Sequence, residues 1–253
     1  MTGPVTLVTG ASSGLGELFA RACAARGDRV ALVARRQNEL KKLAKELGGD
    51  TIVLGEDLSD YDAAEAVMAE IEDRDCFVQT LINNAGFGLR GPFEDIALGD
   101  QVDMVQVNIT ALLDLTHRAV PWMKANGGGY ILNVASTAAF QAGPMMATYY
   151  ATKAFVLSLT EALHEELAPH NIHVTALCPG ATKTEFAHQA GMEETTLFKR
   201  FAGDPESVVA AGLNGLAKNK AVVIPGFVNK AMVQGTRLTP RSVNREIVKL
   251  LQG

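Results

Sequence analysis

Apolar positions follow two alternating rhythms along this chain. Short continuous runs rich in Val, Leu and Ile alternate with longer stretches in which apolar residues recur every third or fourth position. The first pattern reads as strand buried on both faces, the second as helix with one apolar stripe. In order, the pattern predicts strands at 5–9, 30–34, 51–54, 78–82, 130–135 and 172–177, and helices at 17–26, 37–47, 60–73, about 99–126 and 149–168. Near-continuous apolar strands separated by helices make a parallel sheet covered on both sides, a doubly wound α/β fold of Rossmann type. No linker, repeat or low-complexity segment interrupts the 253 residues, so one domain over 1–253 is expected.

Val5 to Thr9 runs straight into Gly10-Ala11-Ser12-Ser13-Gly14-Leu15-Gly16 and then into a helix. Glycines in such a turn let the backbone come close to a pyrophosphate, and the helix N-terminus offers free N–H groups and a positive dipole. The spacing is G-x-x-x-G-x-G, not the common G-x-G-x-x-G. The second strand ends in Ala34-Arg35-Arg36, where a carboxylate would suit the ribose hydroxyl of NAD. Two guanidinium groups suit a 2′-phosphate instead, so NADP(H) is expected over NAD; solvated arginines opening a loop are the bland alternative.

Tyr149 and Lys153 stand four residues apart at the start of the helix that Pro169 closes, which places both on one face. A phenol titrates near pH 10 and a nearby cation lowers that value, so the pair could move a proton. Ordinary packing with a lysine reaching for solvent produces the same spacing. Tyr150 is a rival proton donor, three residues from Lys153 instead of four.

Composition narrows the function classes. Hydrophobic residues make up 47% of the chain, enough for a large core, and the net charge is −5 with no basic run, which argues against nucleic acid. Cys23, Cys76 and Cys178 show neither metal spacing nor a disulfide framework, so a reducing cytoplasm is expected. Cys178 reads as a small apolar filler. The five histidines form no metal site, and no apolar stretch reaches the roughly 18 residues of a membrane span. The N-terminus carries no leader pattern.

Several motifs together resemble the short-chain dehydrogenase/reductase family over about residues 5–185. Thr9 to Gly16 match its TGxxxGxG turn, Asp57-Leu58 the acidic dipeptide after the third strand, and Asn83-Asn84-Ala85-Gly86 its NNAG motif. Asn108, Ser136, Tyr149 and Lys153 match the catalytic tetrad, with the usual interval of thirteen from Ser136 to Tyr149. Pro179-Gly180, Thr182 and Thr184 match the segment after the sixth strand.

The resemblance implies a role for each position. Gly10, Gly14, Leu15 and Gly16 would form the pyrophosphate turn, with Ser12 and Ser13 on phosphate or ribose. Arg35, then Arg36, would hold the 2′-phosphate, and Asp57 and Leu58 the adenine. Asn84, Ala85 and Gly86 would line the ribose; Pro179, Gly180, Thr182 and Thr184 would lie beside the nicotinamide. Lys153 would bind ribose hydroxyls and lower the Tyr149 pKa, and Asn108 would distort its helix and hold a water. The reaction implied is hydride transfer between NADP(H) and a carbonyl/alcohol pair, with Tyr149 as the general acid/base. A homodimer or homotetramer through the helices near 99–126 and 149–168 is implied as well. A cofactor-binding sensor without turnover is the rival reading, and the complete tetrad speaks against it. An epimerase or dehydratase is a third, with a different glycine spacing.

The ending departs from the family pattern. In place of a glycine-rich strand stands Ala221 to Lys230, then a basic, amphipathic segment over about 228–253. Carrier-protein reductase of fatty-acid synthesis is thereby a weaker assignment. The region about 184–215, with Met192, Leu197, Phe198 and Phe201, is expected to close over a hydrophobic substrate, and Met145 and Met146 either edge the pocket or belong to the core.

Overall fold

The structure is a computed structural model, described over residues 3–182, 185 and 203–252. Strand β1 (Gly3–Thr9) lies inside the sheet between β2 (Val30–Val33) and β4 (Cys76–Asn83), and β3 (Ile52–Leu54) pairs with the outer side of β2. Beyond β4 come β5 (Gly129–Val134), β6 (Ile172–Leu177) and the two-residue β7 (Val222–Val223). All pairings are parallel, in the order β3-β2-β1-β4-β5-β6-β7. The chain builds outwards from β1 on one side, then returns to start the other half at β4. A crevice opens at the carboxyl ends of β1 and β4, where doubly wound sheets bind ligands.

Helices cover both faces, as the unbroken apolar strands require. On one side α3 (Ala63–Asp73) and α5 (Leu112–Ala125) bury Val67, Ile71, Leu115 and Met123 against Leu7, Leu81 and Ile131. On the other, α1 (Gly14–Ala25), α2 (Gln37–Leu47) and α7 (Pro205–Ala217) bury Phe19, Leu40, Val208 and Leu216 against Val8, Leu32 and Leu177. Each such side chain contributes about 1.5–3 kcal/mol of burial.

Two boundaries differ from the sequence expectation. The helix expected from 60 begins at Ala63, because the preceding turn is held by the Asp57 carboxylate, which accepts from Ser59 N–H at 3.0 Å and Ser59 Oγ at 2.8 Å. The helix expected over 99–126 is three pieces: α4 (Leu98–Val105), a π-helical turn Gln106–Ala111, and α5. Asn108 sits in that turn, and its side chain is engaged outside its own helix, as described below.

After β6, α7 starts on an Asp204 cap, whose carboxylate accepts from Ser207 N–H at 2.7 Å. Residues 205–215 of the expected substrate region are thus helical, with Val208 and Val209 buried on the sheet; Met192, Leu197, Phe198 and Phe201 lie outside the described residues. Following β7, α8 (Phe227–Leu238), α6 (Ala147–Leu167) and α9 (Arg241–Gln252) meet at the crevice side: Val248 of α9 is buried with Tyr149 and Tyr150 of α6, and Val233 of α8 is buried in the crevice wall. Met146 is buried in the same cluster and Met145 is partly exposed, and neither is among the residues lining the cleft. Among the described residues no helix is long and apolar enough to cross a membrane.

Candidate active site

The glycine turn and the end of β4 are knitted into one unit. Thr9 Oγ1 accepts from the N–H groups of Asn84 at 3.0 Å and Ala85 at 2.9 Å, and Asn84 Nδ2 donates to Thr9 O at 2.9 Å. Gly10 has φ +66°, and a Cβ there would lie 2.8 Å from Asn84 Nδ2. A Cβ on Gly16 would be driven into Gly10 O and stand 2.6 Å from Asn84 Nδ2. Ser13 is the N-cap of α1 in extended backbone, yet its side chain bonds none of the first-turn N–H groups. These donors, a positive helix end and a turn with no side chain at Gly10, Gly14 and Gly16 fit an anionic pyrophosphate. Gly16→Ala should lower stability by about 1–3 kcal/mol and weaken dinucleotide binding at least about tenfold. Thermal melting and a fluorescence titration read both; an unchanged affinity would remove the turn from the site.

At the end of β2 the two arginines are placed differently. Arg36 Nη1 and Nη2 each donate to a Glu185 carboxylate oxygen at 2.8 Å, and its Nε donates to Ser12 Oγ at 3.2 Å. Arg35 is more exposed and stands 3.8 Å from Asp57 Oδ2. The Glu185 hydrogen bonds raise the Arg36 pKa further. Leu58 is buried beside this pair. Both arginines, with Asp57 and Leu58, line one end of a cleft of about 570 Å³.

At the other end, α6 brings Tyr149 and Lys153 into the interior. Lys153 is 5% exposed; its Nζ donates to Val134 O at 2.8 Å and lies 5.8 Å from the Tyr149 ring centre. Tyr149 and Ser136 are joined by a side-chain hydrogen bond, and Ser136 Oγ also accepts from Ala138 N–H at 3.1 Å. Asn108 Oδ1 accepts from Phe87 N–H at 3.0 Å, while its Nδ2 donates to Phe87 O and to Thr152 Oγ1, both at 3.0 Å. Asn108 thereby anchors the Phe87 backbone. Those tertiary bonds accompany the π-helical turn, a geometry frequent at functional sites. Gly86 permits the approach, since its Cβ would stand 2.9 Å from Asn108 Oδ1 and 3.4 Å from Lys153 Nζ.

Burial governs the pair's electrostatics in the protein alone. Burial pushes Lys153 down to about 8 and raises the Tyr149 phenol above its ordinary value, a rise that the Ser136 hydrogen bond partly opposes. Among protein groups alone, burial therefore outweighs any lowering of Tyr149 by Lys153. Cys178, fully buried, is pushed up to about 12 by burial, as suits an inert filler.

The Pro179 carbonyl accepts from Thr137 N–H at 2.9 Å, and Thr182 Oγ1 donates to Gly180 O at 3.0 Å. Pro179, Gly180 and Thr182 line the cleft, together with Gly10, Ser12, Ser13, Gly14, Leu15, Asn84, Ala85 and Gly86; Asn108 and Gly16 stand just behind it, and Thr184 lies outside the described residues. Tyr150 also lines it, with its ring 6.1 Å from that of Tyr149. Sequence reasoning missed the far wall, which is Met232, Val233, Thr236, Ile247 and Val248 of α8 and α9. The available signal was the amphipathic ending, which has apolar positions on more than one side.

The family model described as short chain dehydrogenase matches residues 4–195. A ketoacyl reductase, HetN, of Nostoc is 30% identical, covering 97% of this chain and 88% of its own. A solved short-chain dehydrogenase from Sphingobium yanoikuyae in complex with NADPH is 34% identical, with TM-score 0.81 over 93% of this chain and 94% of its own. A bulky-bulky ketone specific alcohol dehydrogenase from Comamonas testosteroni is 31% identical, with TM-score 0.77 over 94% of this chain and 93% of its own.

Proposed function

The chain belongs to the short chain dehydrogenase family of NAD(P)-binding oxidoreductases, and from that premise we propose that it is an NADP-dependent reductase of a bulky, apolar carbonyl compound, with Tyr149 as general acid/base. The observation that carries this reading is one continuous cleft with a glycine turn and two arginines at one end and a buried Tyr149 bonded to Ser136 beside an apolar wall at the other. The cofactor supplies the hydride. As negative charge builds on the substrate oxygen, the Tyr149 hydroxyl delivers its proton and the Ser136 hydroxyl donates a hydrogen bond. Burial keeps Tyr149 protonated at working pH, the state that an acid requires. Lys153, once charged, offers its remaining donors to ribose hydroxyls while Val134 O fixes its position. Met232, Val233, Ile247 and Val248 favour an apolar substrate body. The likeness to a bulky-ketone alcohol dehydrogenase supports the same substrate class.

The test is oxidation of NADPH and NADH against ketones, aldehydes, diketones and 3-ketoacyl thioesters. Turnover with NADPH on bulky ketones is expected; dinucleotide binding without turnover on any of them would favour the sensor reading.

Arg36 discriminates the cofactors only after giving up Glu185, so the ion pair competes with the 2′-phosphate. Glu185→Gln should tighten NADPH about three- to tenfold and leave NADH within about twofold. Equal effects on the two, measured by titration, would take Arg36 away from the 2′-phosphate.

A homo-oligomer in the cytoplasm completes the reading. Leu98 and Val102 on α4, Val105 at its end, Leu113 on α5 and Phe155 on α6 are large apolar side chains left exposed on adjoining helices. Covering them in a symmetric dimer predicts at least twice the chain mass in solution; a strictly monomeric mass would refute it.

A further inference from the structure

α8 is apolar on two opposite sides. Its inner side carries Met232 and Val233 into the cleft. Its outer side carries Phe227, Ala231 and Leu238, at positions i, i+4 and i+11 of one stripe, with Phe227 85% and Leu238 89% exposed. α9 adds Val243 and Leu250, seven residues apart on one stripe and also exposed. It is tied down by buried Val248 and by Asn244, whose Nδ2 donates to Thr236 O at 2.9 Å.

The charge of this segment has the opposite sign to the rest of the molecule. Residues 227–252 hold Lys230, Arg237, Arg241, Arg245 and Lys249 against Glu246, a net +4, so the remainder of the −5 chain carries −9. All five basic residues are exposed, and none is in an ion pair with another described residue. Exposed large apolar residues flanked by basic ones on a short helix suit the boundary of an anionic bilayer. A second copy docked face to face would bring two sets of five cations together, which disfavours that occupant.

We propose that the outer face of α8 and α9 docks on an anionic lipid bilayer. Phe227 and Leu238 enter the headgroup boundary, the basic residues meet lipid phosphates, and the acidic body stays in water. The cleft wall formed by the same two helices then lies next to the membrane surface, where an apolar carbonyl compound would concentrate. The docking surface stands without the enzymatic reading, because membrane binding is measured without turnover.

The experiment sediments the full chain with vesicles of phosphatidylcholine alone and of an equimolar mixture with phosphatidylglycerol. Binding to the mixed vesicles should exceed binding to the neutral ones about tenfold and fall as salt is added. Phe227→Ser with Leu238→Ser, and separately Arg237→Glu with Arg241→Glu, should each weaken it about tenfold while leaving the melting temperature and the solution mass unchanged. Equal recovery with both vesicle types, no sedimentation with either, or wild-type binding by both double variants would overturn the proposal. A drop in solution mass on Leu238→Ser would overturn it as well, by assigning this face to a subunit contact.

Discussion

Tyr149→Phe is expected to lower the rate of carbonyl reduction by about 10³-fold while leaving NADPH affinity within about twofold. The substitution removes one hydroxyl and keeps the ring. That ring packs with Met104, Ala138, Met146 and Val248, so the packing is kept while the hydrogen bond to Ser136 is lost. Such a bond is worth about 1 kcal/mol, and its loss should lower the melting temperature by no more than about 4 °C. The kinetic loss is far larger because no other group at that point holds a proton ready for the substrate oxygen. Single-turnover reduction with bound NADPH measures the chemical step directly. A Tyr149→Phe rate within tenfold of wild type would remove Tyr149 from the mechanism. Tyr150 lines the same cleft, and Tyr150→Phe run alongside separates the two phenols.

Lys153→Met should have effects of opposite sign on activity and stability. Turnover should fall about 10²-fold or more, with weaker cofactor binding, because the ammonium proposed above to meet the ribose hydroxyls is gone. Stability at neutral pH should rise. The folded-state pKa of Lys153 is pushed from 10.5 to about 8, so the protonated lysine costs the fold on the order of 3 kcal/mol. The lost bond to Val134 O offsets part of the gain, leaving roughly 1 kcal/mol, or an increase of about 2–4 °C in melting temperature. The pH dependence carries the sign. A group with a depressed cationic pKa binds more protons unfolded than folded between about 8 and 10.5, so its penalty is full below pH 8 and fades as pH rises through that window. The advantage of Lys153→Met over wild type should therefore be largest at pH 7 and shrink towards pH 10. A constant difference across that range would mean that Lys153 is not desolvated as its burial implies.

Local chemistry made much of this site readable in the chain. The turn 10–16 announces itself because φ +66° at Gly10, with a Cβ there 2.8 Å from Asn84 Nδ2, and the contact with Gly10 O at Gly16 leave no room for a side chain. Tyr149 and Lys153 share a face by helical periodicity alone. Tertiary contacts settled other features. The helix over 99–126 has unbroken apolar periodicity, yet Asn108 bonds across to Phe87 and Thr152, and the backbone there takes a π-helical turn. The Arg36–Glu185 pair joins residues 149 positions apart, beyond any pattern in the sequence. α8 and α9 became the cleft wall because two apolar sides cannot both be recognised as buried until a partner surface is known.

The sequence by itself determined the alternation of strands and helices, the doubly wound class and most of the residues that meet in the cleft, since periodicity, glycine conformation and motif spacing are local properties of the chain. The tertiary structure alone decided the proton affinities of Tyr149 and Lys153, the partner of Arg36 and the shape of the cleft. Those depend on desolvation and on contacts between residues far apart in the chain, and both exist only after the sheet has closed around them.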